Sequence, residues 1–109
     1  MTKYLISFDE HAMDHIPAEE TPDVAKTSHA VAQEAKDAGV FVFAGGLDED
    51  VDPVWVAGDG SVTAATHPLG GMTIIDVPTR DEALKWAAKF AVGCRCAQEV
   101  SAFQVDPLA

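Results

Sequence analysis

Gly70-Gly71-Met72-Thr73-Ile74-Ile75-Asp76-Val77-Pro78-Thr79-Arg80-Asp81-Glu82-Ala83-Leu84-Lys85-Trp86-Ala87-Ala88 decides the fold. Met72 to Val77 is apolar at both odd and even positions, the pattern of a central strand covered on two faces. Thr79 then stands where a helix cap belongs, and Glu82 three residues on can complete a capping box. Ala83, Leu84, Ala87, Ala88 and Ala91 recur at the helical period and form one apolar stripe. The double glycine lets the strand begin directly after a turn.

On the N-terminal side of this block, the chain supplies another strand, helix and strand. Lys3 to Phe8 alternates, with Tyr4, Ile6 and Phe8 on one side and Leu5 and Ser7 on the other. An acidic loop from Glu10 to Glu20 holds His11, Met13, His15 and Pro17. Thr21-Pro22 opens a helix, Thr21 as cap and Pro22 as first helical residue, with Gly39 at its end. Val40 to Leu47 is the next strand, softened by Gly45-Gly46. Val54 to Ala57 and Ser61 to Ala65 flank Gly58-Asp59-Gly60 as a hairpin. After the second helix, Ala91 to Cys96 reads as a turn containing Gly93, and Gln98 to Val105 as the last strand.

The reading is a single α+β domain over residues 1–109 with a ferredoxin-like β-α-β-β-α-β order and an extra hairpin. Two helices cover only one face of such a sheet, yet the strands are apolar on both. At roughly 25 cal/mol per Å² of apolar area, an uncovered second face is costly for so small a domain. The expected solution is a homodimer, the two open faces forming a dimeric α+β barrel.

The formal charge of -11 with seven basic residues excludes phosphate-backbone binding, which needs clustered Lys and Arg. An acidic surface is equally unsuited to anionic membranes, and no apolar run reaches the roughly 20 residues of a membrane span. Met1-Thr2-Lys3 runs into the first strand without an apolar leader, so a cytoplasmic protein is expected. Cys94 and Cys96 are too close for an easy disulfide and read as reduced thiols in a loop or strand edge.

Several of these segments together resemble the YCII-related family, in particular its Asp-Gly-Pro-Phe subgroup. The resemblance lies in Lys3-Tyr4-Leu5-Ile6, Ala38-Gly39-Val40, Gly45-Gly46-Leu47, the block from Gly70 to Ala87, and Glu99-Val100. Thr66-His67-Pro68-Leu69 occupies the place of the subgroup motif in shortened form, and Ser101-Ala102 replaces the arginine and proline that usually follow Glu-Val. The resemblance implies a dimeric α+β barrel. It also implies chemistry by a histidine and an aspartate near a cleft between sheet and helices.

Four side chains are the candidates for acid–base catalysis. His29 lies about a quarter-turn from the buried stripe of the first helix, where an imidazole can serve as a general base. His67 precedes Pro68 in the shortened loop. Asp9 ends the first strand and is the natural partner of His29 if the two elements meet. Asp76 interrupts an apolar strand, and a carboxylate placed there needs a partner. Trp55 and Phe8 are the candidate ligand-binding residues. No metal site is expected: His11 and His15 lack a helix to align them, and the Asp48-Glu49-Asp50-Val51-Asp52 run lacks the glycine and closing glutamate of a calcium loop. No nucleotide-binding motif is present and no cofactor is expected. The functional expectation is a small organic molecule bound in a cleft of the dimer. A small-metabolite isomerase or hydrolase using His/Asp chemistry, and a non-catalytic assembly module, are the alternatives.

Overall fold

The computed structural model describes residues 1–66 and 68–108. In chain order the elements are β1 (Thr2–Asp9), α1 (Thr21–Asp37), β2 (Phe41–Gly46), β3 (Val54–Val56), β4 (Val62–Ala64), β5 (Leu69–Val77), α2 (Arg80–Cys94) and β6 (Glu99–Ala102). A four-stranded antiparallel sheet of order β2-β5-β1-β6 carries the fold, the strand order of a ferredoxin-like domain. The hairpin β3–β4 forms as expected but stands as a separate two-stranded sheet. Its turn closes with Ala57 N–H donating to Ser61 O at 2.8 Å, and with Gly60 at φ +88°, a value glycine adopts without a side-chain penalty.

One expectation is corrected by this topology. The sheet is open, with β2 and β6 as free edges, so it is not closed into a dimeric α+β barrel. The register shows why the apolar pattern misled. Residues directly opposite share a face, and Tyr4, Ile6, Ile75 and Val77 are all buried beneath the helices with Ala83, Ala87 and Phe90. The other face carries Leu5, Ile74 and Phe43 but also Lys3, Ser7 and Asp76. It is a mixed surface of apolar and charged side chains.

The helices bury their small residues against each other. At Gly93 an added Cβ would meet Thr27 O at 3.1 Å and Val31 Cγ2 at 3.2 Å, so this glycine marks the closest approach of α1 and α2. Thr27 Oγ1 donates to Gly93 O at 2.6 Å across the same contact. Gly93 therefore belongs to α2, which runs through Cys94 and ends at Arg95 in the left-handed region, instead of stopping at Ala91. Arg95 pairs with Glu20 at 2.7 Å and ties the end of α2 to the start of α1. Thr79 caps α2 as read, accepting from Glu82 N–H at 3.2 Å. Thr21 does not cap α1: a 3-10 turn at Ala18–Glu20 leads straight into the helix, so Thr21 is already helical and Pro22 is its second residue.

The double glycine of β5 has a different purpose from the one its sequence suggests. Gly70 and Gly71 lie inside the strand, and a Cβ on either would stand 2.8 or 2.9 Å from the Phe8 ring. Their missing side chains make the room in which that ring lies across the sheet.

Candidate functional site

Phe8 divides two hollows at one end of the sheet. The turns following β1 wrap this end, so that Met13 reaches one hollow while Ala12 and His15 reach the other. The first is a cleft of ≈ 380 Å³ between α1 and strands β2 and β5. Phe8, Val24, Ala32, Ala44, Met72 and Phe90 give it a largely apolar wall, and Thr21, Ser28, His29, Glu49 and Thr73 are its polar contributions. This composition is that of a small-molecule site: apolar walls with a few polar groups fixing orientation. The volume falls in the lower part of the usual range for such sites.

Thr73 is the most telling polar group. It is 7% exposed, sits on the helix-facing side of β5 and lines the cleft. A hydroxyl on such a wall can donate or accept a hydrogen bond to a bound molecule. Sequence reading missed Thr73; its alternation with Ile75 and Val77 was the available signal. Ser28 is already engaged, donating to Ala25 O at 3.1 Å. His29 is exposed and stands at the mouth of the cleft.

The second hollow, ≈ 520 Å³, is shallower and more open. Ser7, Asp9, His15, Cys96 and Glu99 are among its walls.

This arrangement separates the candidate catalytic residues. Asp9 faces the second hollow, whereas His29 faces the cleft, and among the described residues no hydrogen bond or ion pair joins them. Asp76 lies on the face of β5 turned away from the helices and is paired with Lys3 at 3.7 Å across the β1–β5 register. Its Oδ1 is buried without a partner among the described residues. His29 and Asp76 are thus on opposite sides of the sheet, and the expected pairing of His29 with Asp9 is corrected; Glu49 is the carboxylate that lines the cleft with His29. His67 lies outside the described residues. Of the two ligand-binding candidates, Phe8 lines both hollows, while Trp55 is 58% exposed on the hairpin and lines neither. His11 sits 3.0 Å from both Glu10 and Asp14 at the exposed surface, away from either hollow.

The cysteines bracket Phe8's end of the molecule from α2. Cys94 is buried in the last helical turn, not in a loop, and lines the cleft; Cys96 lines the second hollow. Burial, and then the neighbouring Cys96, push the Cys94 thiol up to about 11. Burial also raises Cys96, opposed by a hydrogen bond from Gln98. Both are protonated thiols at neutral pH and poor nucleophiles. Among the described residues no group of three or more His, Cys, Asp or Glu side chains is placed to hold a metal ion.

No protein-family model and no curated protein matches this chain. The resemblance to the YCII-related family and its Asp-Gly-Pro-Phe subgroup gains no support from that comparison. No helix among the described residues is long and apolar enough to cross a membrane.

Proposed function

We propose that the protein binds a small, mainly apolar organic molecule in the cleft between α1 and the sheet. The observation that carries this reading is a cleft whose wall is mainly apolar, with the Thr73 hydroxyl among its few polar groups. A ligand with one oxygen or nitrogen directed at Thr73 would hydrogen-bond to its hydroxyl, while its hydrocarbon body would replace water against Val24, Ala32 and Phe90. His29 at the mouth would meet the end of the ligand nearest solvent. Binding is preferred to acid–base catalysis because His29 has no carboxylate within ion-pair distance among the described residues to orient it or share its proton.

Two further readings accompany this one. The open face, with Leu5, Ile74 and Phe43, supports association with a second copy of the chain. The two free thiols suit a cytosolic setting.

Titration of the ¹⁵N-labelled protein with phenol, indole and benzoate tests the cleft. Saturable amide shifts centred on Ala32, Ala44 and Thr73 are expected for at least one probe. Ala25→Trp, at an exposed helical position on the cleft wall, should abolish them without unfolding the chain. Shifts that do not saturate, or that survive Ala25→Trp, would overturn the proposal.

A further inference from the structure

The β3–β4 hairpin has no core to rest on. Val54 stands opposite Ala64 and Val56 opposite Val62, so these four aliphatic side chains share one face, with Trp55 and Thr63 on the other. All six are exposed, and among the described residues the hairpin packs substantially on no other element. A two-stranded ribbon left alone in water is marginal, and an aliphatic face of this kind belongs on another surface. Residues 54–64 carry a single charge, Asp59 in the turn, although the chain has 18 acidic residues. The edge strand β2 adds Val42 and Phe43, both exposed. The chain as a whole is under-buried. Its accessible surface is 7454 Å², whereas a folded monomer of 11.5 kDa exposes about 5,800 Å². That excess of about 1,650 Å² is larger than the roughly 800 Å² each partner gives to a standard interface. The radius of gyration agrees, at 15.2 Å against about 13 Å for a compact chain of this length.

We propose that the hairpin is an assembly arm: its Val54–Val56 face packs on the exposed β2 surface around Phe43 of a second copy, and reciprocally. A two-fold arrangement covers the arm and the β2 surface of both chains at once. A basic partner fits less well, because neither the aliphatic face of the hairpin nor Val42 and Phe43 offers a carboxylate to pair with it. The hairpin, and not a second sheet, then lies over the apolar part of the open face. This inference rests on the second-copy reading of that face and names the element that makes the contact. It is independent of the cleft.

Light scattering over a concentration series is the first measurement, and a mass twice that of the chain is expected at its upper end. Added salt should tighten the dimer, because it screens the repulsion between two chains of net charge -11. Val56→Glu and Phe43→Glu should each raise the dissociation constant more than about tenfold, since each forces a carboxylate into an apolar contact. Val92→Glu, at an exposed position of α2, should leave it unchanged. The amide shifts of Ile6 and Ile75 should persist in all three variants, which separates a lost contact from a lost fold. In a mixture of ¹³C-labelled and unlabelled wild-type chains, filtered NOEs between the Val56 methyls and the Phe43 ring are expected. A monomer throughout the series would overturn this inference together with the second-copy reading. A dimer that lacks those NOEs, survives Val56→Glu, or responds equally to Val92→Glu would overturn the role of the hairpin alone.

Discussion

Along β5, Thr73, Ile75 and Val77 are buried beneath the helices, whereas Met72, Ile74 and Asp76, alternating with them, keep part of their surface in water. Both sets come from one apolar run, and only the helices on one side make them different. The buried set joins the core with Tyr4, Ile6 and Phe90, and at one end it opens into the cleft. The half-covered set meets Leu5 and Phe43, with a Lys3–Asp76 pair in place of further hydrocarbon. An apolar run on both parities therefore shows that a strand is central. It does not show that both of its faces are equally buried.

The sharpest way to break this comparison is to truncate each face in turn. Ile75→Ala should cost about 2–5 kcal/mol, because the fully buried side chain leaves a cavity beneath α2. Ile74→Ala should cost on the order of 1 kcal/mol, since that side chain is only partly removed from water. Urea unfolding measures both. Equal costs, together with a light-scattering mass twice that of the chain, would show the open face covered by a second copy.

Gly71 tests how tightly the buried face is built at the Phe8 end. Gly71→Ala places a methyl 2.9 Å from the ring and 3.1 Å from Gly45 O, and should cost about 1–3 kcal/mol by thermal melting. Phe8→Leu in the same chain should return part of that loss. Gly58→Ala, where an added Cβ meets nothing within 4 Å, should have little effect.

Two threonines then sharpen the contrast between core and cleft. Thr27→Val removes a hydroxyl donating to Gly93 O at 2.6 Å and should lose about 1 kcal/mol. Thr73→Val, which exchanges a cleft-lining hydroxyl for a methyl of similar size, should be neutral or slightly stabilising. A clear loss at Thr73 would mean that the hydroxyl is already satisfied and would weaken the ligand reading.

The smallest effect separates the two cysteines. Cys96 should react with iodoacetamide ahead of Cys94 at mildly alkaline pH, with mass spectrometry identifying the modified residue. Cys94 should keep gaining reactivity up to about pH 11. Its thiol pKa is raised from 9.0 to about 11, so the unfolded chain ionises first. The stability contribution is complete below 9 and is lost as pH rises through 11, so unfolding monitored across that interval should become easier.

Much of the secondary structure was legible locally. The Thr79 cap, the left-handed Gly39 and the hairpin at Gly58-Asp59-Gly60 are set by residues a few positions apart, which is the range over which caps and turns act. Gly93 was misread because glycine ordinarily interrupts a helix, and only the neighbouring α1 explains its place inside α2. The site was less legible. Phe8 and His29 were recognised and do line the cleft, yet Thr73 and Ser7 looked like ordinary strand residues.

From the sequence alone came an acidic α+β domain, its ferredoxin-like strand order and its main helix and hairpin signals, because periodicity and turn chemistry are properties of neighbouring residues. The tertiary structure decided that the sheet stays open, which parity the helices cover, and that Asp9 and His29 face different hollows on either side of Phe8 while Asp76 lies at the far end of the sheet. Those outcomes depend on strand register and on which side of the sheet each crossover helix packs. Both are settled by contacts between residues distant in the chain.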